Sequence, residues 1–146
     1  MEYIEFKNII KNYAEYNNLV IEEVKCQNLY KYMKNLLEWN KNINLTAIKE
    51  EKEIILKHFI DSIIIKDRIK GRVLDIGSGA GFPGIPLKIV NDEIKLVSID
   101  SVNKKIKFQL DTVQKLKLKN IDCIHIRAEE LANNIEYREK FDFVVT

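Results

Sequence analysis

Glycine and proline are scarce in this sequence, which has five glycines and two prolines among 146 residues. Residues 1–70 contain neither, so no helix-breaking residue interrupts that stretch. Four of the glycines and both prolines lie within residues 77–86. The backbone is therefore most open to close approach in one short loop, and we look for a ligand there.

Cysteines, long apolar runs and excess charge are also lacking, and each absence excludes a class of protein. Cys26 and Cys123 lie far apart and form no CxxC pair, so the sequence predicts neither a disulfide scaffold nor a metal site. No apolar run approaches the roughly 20 residues that cross a bilayer, and the charged N-terminus is no signal peptide. A net charge of +2 excludes a polybasic tail but permits a local basic face. We expect a cytoplasmic protein with no membrane partner.

Residues 1–70 predict a helical extension of three helices. Apolar residues at helical spacing mark the first two, as Phe6, Ile9, Ile10, Tyr13 and Ala14, and as Leu29, Tyr32, Met33, Leu36 and Leu37. The third is predicted over residues 51–67, with Ile55, Phe59 and Ile63 on one side. Trp39 ends the second stripe and is predicted to belong to the core rather than to stack on a nucleic-acid base.

Residues 71–146 alternate between strand and helix patterns. Strands are predicted at 73–76, 95–100, 122–126 and 141–145, and helices at 84–90, 103–118 and 129–135. Such alternation indicates βαβ units and a parallel sheet, so the fold class is α/β. In helix 103–118 the shared apolar face is predicted to be Ile106, Leu110 and Val113.

The first strand leads into a loop of the form G-x-G-x-G, made by Gly77, Gly79 and Gly81. Asp75 stands two residues before this loop, and Asp100 ends the next strand. The carboxyl ends of parallel strands meet at one edge of a sheet, where open α/β sheets bind ligands. A carboxylate about 20 residues beyond the glycines suits the two hydroxyls of a ribose. The pattern predicts a nucleoside-containing cofactor.

The loop alone leaves the choice of cofactor open, because Gly79, Gly81 and Gly84 also match the dinucleotide pattern G-x-G-x-x-G. A negative Asp75 would suit cationic S-adenosylmethionine and repel a pyrophosphate, and Phe82-Pro83 fills a place that a dinucleotide loop keeps slim. These details favour S-adenosylmethionine over a nicotinamide or flavin. A second interpretation of Asp75 is equally favoured, namely that it only braces the loop by accepting hydrogen bonds from its amides.

Five segments resemble one family when they are taken in order. They are LLEWNKNINLTAI (36–48), HFIDSI (58–63), LDIGSGAGFPGIPL (74–87), IDS (99–101) and RAEE (127–130). Together they resemble the bacterial 16S ribosomal RNA guanine-N7 methyltransferases, also known as the glucose-inhibited division protein B family. The likeness extends over nearly the whole chain, and the combination of motifs is far more specific than a glycine pattern.

The resemblance implies a class I methyltransferase fold, which is Rossmann-like, in residues 71–146, after a helical extension in residues 1–70. It implies S-adenosylmethionine as methyl donor and a guanosine N7 in 16S rRNA of the small ribosomal subunit as acceptor. Carried over by position, Gly77 and Phe82 contact the cofactor at the loop, where the sequence pattern itself adds Asp75, Gly79 and Gly81 as candidates. Asp100 holds the ribose, and Ala128 with Glu129 meets the adenine. The resemblance also raises the chance that His58 and Asp61 act near the mouth of this site, beyond a role as polar partners at the junction.

The chain ends directly after the last predicted strand, and the family carries an arginine at about the next position. We therefore expect the sequence to be cut off within the fold, with the last strands of the sheet missing. We also expect this chain to transfer little or no methyl.

The expected RNA contacts are less defined. Lys104 and Lys105 begin a lysine-rich helix that could neutralise phosphates, although a solvated helix surface explains the same pattern. Asn44 and Thr46 are predicted to form capping-type bonds with the backbone. Two alternatives from other classes stay open: a non-catalytic nucleotide- or RNA-binding module with the same fold, and an NAD-dependent oxidoreductase.

Overall fold

The computed structural model describes all 146 residues, and it divides into a helical layer and a sheet with its own helices. The helices are α1 (Tyr3–Tyr16), α2 (Glu23–Asn40), α3 (Glu51–Ile54), α4 (Asp61–Ile63), α5 (Gly84–Val90), α6 (Asn103–Leu116) and α7 (Ala128–Ala132). The strands are β1 (Arg72–Ile76), β2 (Lys95–Asp100), β3 (Ile121–His125) and β4 (Phe143–Val145). No helix is both long and apolar enough to span a membrane.

The four strands form one sheet in the order β3-β2-β1-β4, and every neighbouring pair is parallel. The register pairs Asp75 of β1 with Ser98 of β2, and Asp100 of β2 with His125 of β3. The predicted α/β class with a parallel sheet and N-terminal helices is confirmed. Because all strands run the same way, the ends of β1, β2 and β3 lie at one edge of the sheet.

The first two helices bury the predicted stripes almost completely. Phe6, Ile10 and Ala14 of α1 are buried, and so are four residues of α2, namely Leu29, Tyr32, Met33 and Leu36. Ile9 and Leu37 are half-buried, and Tyr13 departs most from the prediction, with 40% of the residue exposed.

The third predicted helix is present but is not regular. α3 passes into a π-helical segment at Ile55–Ile60, continues as α4, and ends in a 3₁₀ turn at Lys66–Arg68. Ile55, Phe59 and Ile63 are all buried, as predicted. π-helical turns often mark functional positions in helices, and this one contains His58.

Helix α6 buries a different face from the predicted one. Ile106 is buried, but 49% of Leu110 is exposed. The buried positions include Phe108, Gln109 and Thr112. The physical reason is that α6 packs against both the sheet and α2, so two neighbouring faces are covered and the buried polar residues find hydrogen-bond partners. The helix also ends at Leu116 rather than 118, because Lys117 takes a left-handed conformation with φ of 54°.

The later boundaries differ from the predictions by one to three residues. β3 begins and ends one residue earlier than predicted, α7 spans Ala128–Ala132 instead of 129–135, and β4 covers only Phe143–Val145 of the predicted 141–145. The division into an extension and a sheet domain at residue 70 stays a prediction. The largest core cluster contains side chains from both sides of that point, including Phe59 and Ile85.

Candidate functional site at the carboxyl edge of the sheet

The glycine loop after β1 adopts a backbone that other residues rarely accept. Gly77, Gly79 and Gly81 have φ angles of 62°, 59° and 104°. A Cβ atom at Gly77 or Gly79 would meet nothing within 4 Å, so these two glycines are required by conformation and leave the backbone face open. At Gly81 a Cβ would come within 2.8 Å of the Tyr32 hydroxyl and 2.5 Å of Ile85 Cδ1. Packing excludes a side chain there as well.

Buried side chains hold the loop from behind. Gln109 of α6 donates through Nε2 to Gly79 O at 2.7 Å and to Ser78 Oγ at 2.8 Å. Its Oε1 accepts from Ser98 Oγ of β2 at 2.7 Å. The Ser78 amide donates to Ile99 O at 3.0 Å, which ties the loop to the end of β2. Sequence reasoning missed Gln109, because its partners are a backbone carbonyl and two serines that no motif reveals.

Asp100 connects the loop to the end of β2. Its Oδ2 accepts from the Gly79 amide at 2.8 Å, and its Oδ1 accepts from the Val102 amide at 2.8 Å. Only 8% of the residue is exposed. An ionised carboxylate offers about four acceptor positions, so each oxygen can accept one further hydrogen bond. The arrangement suits two hydroxyl donors.

A groove of about 230 Å³ opens beside Asp100. Four of the predicted cofactor residues line it, namely Gly77, Asp100, Ala128 and Glu129. Its other lining residues are Ile76, Ile99, Ser101, Ile126 and Arg127. The structure therefore brings Gly77 and Asp100 to one groove, as the strand pattern predicted, and adds Ala128 and Glu129, which the family resemblance implied. It also supplies apolar walls that no motif indicated.

Asp75 lies outside this groove and is fully buried. Its Oδ2 accepts from the Gly84 amide at 2.8 Å, at the start of α5, while its Oδ1 has no partner. Burial raises the pKa of Asp75 from 3.8 to about 8. Burial therefore favours the protonated, neutral carboxyl near pH 7, which weakens the argument that a negative charge on Asp75 selects a cationic cofactor. The bracing interpretation matches the observed contact, and a direct contact with a ligand stays a prediction.

Phe82 lies on the other side of the loop, against the helical layer. Its ring stacks on His58 at a centroid distance of 4.3 Å with an angle of 11°. Both residues line a second groove, of about 410 Å³, together with Asp61. The Nε2 atom of His58 is 3.1 Å from Thr46 Oγ1, and burial lowers the pKa of His58. His58 thus is a polar partner at the junction between the helices and the loop, as predicted.

The remaining predicted residues lie around this edge or behind it. Lys104 and Lys105 occupy the first turn of α6, close in sequence to Asp100, and Lys104 is exposed. Trp39 packs edge-on against Phe108 at 5.7 Å and donates through Nε1 to Asp111 Oδ2 at 3.0 Å. Trp39 is half-buried and packs against the main core cluster rather than within it, so its predicted place in the core is only partly matched.

The capping prediction for the segment before α3 is confirmed for one residue. Thr46 Oγ1 accepts from the Ile48 amide at 3.2 Å. The principal brace of this segment is Asn40, whose Oδ1 accepts from the Leu45 and Thr46 amides at 2.9 and 3.3 Å. The last residue of α2 therefore shapes the turn that follows it.

Three features define the class of protein to which the chain belongs. They are the strand order 3-2-1-4, the open glycine loop after β1 and the carboxylate at the end of β2. The chain is an open parallel α/β protein whose candidate ligand site lies at the carboxyl edge of its sheet. Residues 25–146 match the family described as GidB, rRNA small subunit methyltransferase G. The chain belongs to this family.

Curated relatives carry the same family name. The ribosomal RNA small subunit methyltransferase G of Clostridium botulinum is 46% identical over 98% of this chain and 62% of its own length. That of Desulforamulus reducens is 52% identical over 80% of this chain and 50% of its own length. The chain thus spans at most about 62% of the length of these relatives. Among solved structures, coclaurine N-methyltransferase is 12% identical, with a TM-score of 0.44 over 86% of this chain and 47% of that one.

Proposed function

We propose that this protein binds S-adenosylmethionine at the carboxyl edge of its sheet and takes part in methyl transfer to N7 of a guanosine in 16S rRNA of the small ribosomal subunit. The observation that carries the proposal is the groove that joins Gly77, Asp100, Ala128 and Glu129. Family membership supports the reaction class and an RNA acceptor.

The residues of the groove fit the adenosine part of this donor. Each Asp100 oxygen already accepts one backbone amide and retains room for one ribose hydroxyl. Ile76, Ile99 and Ile126 give apolar walls of the kind that flank a purine ring. The open backbone face of Gly77 admits close approach from the methionine side.

The proposed reaction requires little general acid or general base catalysis from the protein. The donor, when bound, supplies a methyl group on a positively charged sulfur. The N7 lone pair of guanine lies in the ring plane and carries no proton, so no general base is needed. This chain contributes the orientation of the reacting groups, which can lower the activation free energy by roughly 7–11 kcal/mol. The rigid loop behind Gly77 and the tie between Gly79 and Asp100 provide such a fixed frame.

The RNA contact is assigned to the edge that also holds the donor. Lys104 and Lys105 stand at the start of α6, directly after the Asp100 segment. Lysines at this position can neutralise phosphates of an RNA whose base enters the neighbouring groove. An acceptor base inside folded RNA must also be unstacked, which costs a few kcal/mol.

Calorimetric titration with S-adenosylmethionine, S-adenosylhomocysteine and NAD tests the donor assignment. We expect both adenosyl compounds to bind and NAD to bind more weakly. NAD belongs in the experiment because the neutral Asp75 no longer argues against a pyrophosphate. Preferential binding of NAD would overturn the proposal.

The acceptor is tested separately. The protein is incubated with methyl-labelled donor and undermethylated small ribosomal subunits, and the 16S rRNA is digested and analysed by mass spectrometry. We expect this chain to transfer little methyl, and the proposal expects whatever label is transferred to appear in 7-methylguanosine. Label in another nucleoside would contradict the N7 assignment while leaving donor binding intact.

A further inference from the structure

Tyr32 of α2 reaches from the helical layer into the glycine loop. It is fully buried, and its hydroxyl donates a hydrogen bond to the carbonyl oxygen of Ala80. Ala80 lies between Gly79 and Gly81, so this bond holds the centre of the loop. The residue contacts the loop only from behind, because none of its surface reaches solvent or the groove beside Asp100.

Three aromatic rings fix the position of the Tyr32 hydroxyl. Its ring stacks on Phe59 at 5.5 Å, on Phe82 at 5.3 Å and on Phe108 at 6.1 Å, with interplanar angles of 26° or less. These partners belong to the π-helical segment, the loop and α6. Offset stacking of this kind adds to the burial energy and limits ring movement. The donor atom is therefore held in place by three separate parts of the chain.

The hydrogen bond orients one peptide group of the loop. The carbonyl of Ala80 accepts from Tyr32, while the amide of Gly81 donates to Ser78 O at 2.8 Å. The peptide unit between these residues is thus held at both ends. The same hydroxyl leaves no room for a side chain at Gly81, where a Cβ would lie 2.8 Å away. Tyr32 consequently contributes both to the direction of the loop and to its need for glycine.

We infer that Tyr32 is a positioning residue for the cofactor loop, through which the helical layer sets the geometry of the donor site. The inference rests on the proposed function in so far as the ligand is S-adenosylmethionine. The N-terminal helices then contribute to donor binding by positioning the loop, independently of any contact with RNA.

The test compares Tyr32→Phe with a matched control, Tyr30→Phe. Tyr30 also donates its hydroxyl to a backbone carbonyl, Met1 O at 2.9 Å, and packs against Phe6, but it does not touch the loop. Both variants keep the ring and lose one hydrogen bond to a carbonyl. Amide hydrogen exchange of Gly81 and Phe82, whose amides both donate to Ser78 O, is followed by NMR. Exchange of amides in the centre of β2 reports global stability in each variant.

In Tyr32→Phe we expect exchange at Gly81 and Phe82 to accelerate by roughly tenfold more than in β2, and the Kd for S-adenosylmethionine to rise roughly fivefold to tenfold. Tyr30→Phe should leave the Kd unchanged, and exchange at Gly81 and Phe82 should change no more than exchange in β2. Equal exchange in the two variants, or loop exchange that only follows β2, would overturn the role of Tyr32. If the unmodified chain bound no S-adenosylmethionine, the proposed function would fail, and the exchange data would still decide whether Tyr32 orders the loop.

Discussion

The amide of Gly79 donates to the carboxylate of Asp100 at 2.8 Å, which joins the loop after β1 directly to the end of β2. The same carboxylate closes the start of the next segment through the Val102 amide. Asp100 thus has two tasks: it shapes the loop and it faces the groove. A substitution at this position should affect ligand binding through both.

Replacing Asp100 with alanine should weaken S-adenosylmethionine binding by roughly 1–3 kcal/mol, because it removes the proposed acceptor of the ribose and the acceptor of two backbone amides. Calorimetric titration measures the change. Asp122→Ala, which removes an exposed carboxylate from β3, serves as the control and should bind normally. Asp100→Asn retains one carbonyl oxygen and should give an intermediate affinity. Unchanged affinity in Asp100→Ala would remove this residue from the site.

Asp75 should make the chain less stable as the pH rises. Its pKa in the folded state is about 8, against an ordinary value of 3.8, because the carboxyl is buried. Between these two values the folded chain holds a proton that the unfolded chain releases. The contribution of Asp75 to stability is therefore complete below pH 3.8 and is lost progressively up to about pH 8, at up to about 1.4 kcal/mol per pH unit.

The variant Asp75→Asn cannot titrate and keeps an oxygen that can accept from the Gly84 amide. Urea unfolding at several values from about pH 5 to about pH 8 should show that the free energy of unfolding falls more steeply with pH in the unmodified chain than in this variant. Asp122→Asn should run parallel to the unmodified chain. Parallel curves for Asp75→Asn would show that Asp75 is already ionised in the folded protein.

Gly84 should be intolerant of alanine although it lies in a helix. Alanine in place of glycine normally stabilises a helix by up to about 1 kcal/mol. Here the new Cβ would lie 2.7 Å from Asp75 Oδ2 and 3.0 Å from Leu96 Cδ2. We expect Gly84→Ala to lower the free energy of unfolding by roughly 1–3 kcal/mol through overpacking. Thermal and urea unfolding provide the measurement.

A double-mutant cycle identifies the cause. In an Asp75→Ala background the added Cβ of Gly84→Ala has more room, so its cost should shrink. An equal cost in both backgrounds would place the clash at Leu96 or at the Cβ of residue 75, which alanine retains at 3.1 Å. A stabilising Gly84→Ala would contradict the close packing of α5 on β1.

The order of elements was predictable from residue 71 onward because strands and helices alternate and the glycines interrupt them sharply. The edge that gathers Gly77 and Asp100 followed from the parallel direction of the strands, whereas Glu129 was expected there only from the family resemblance. Periodicity failed at Leu110 because a helix face shows where apolar residues lie and not how many neighbours cover the helix. α6 has two such neighbours, and polar Gln109 is buried between partners.

The support of the loop could not be predicted for a related reason. In the sequence Tyr32 is an ordinary member of an apolar stripe, yet its hydroxyl donates a hydrogen bond to the carbonyl of Ala80, 48 residues away. The charge of Asp75 also depends on surroundings that the sequence does not reveal, because burial decides its protonation. Both residues act through tertiary contacts with the backbone, which leave no spacing pattern.

The last prediction concerns RNA and separates the two interpretations of Lys104 and Lys105. If these lysines contact phosphates, Lys104→Gln with Lys105→Gln should weaken binding to a 16S rRNA fragment and reduce the slope of log K against log salt by about 1–2. The matched control is Lys70→Gln with Lys95→Gln, which removes the same charge from exposed positions at the amino edge of the sheet. Filter binding at several salt concentrations measures both slopes. Equal slopes in the two double variants would identify the α6 lysines as a solvated surface, because only net charge would then matter.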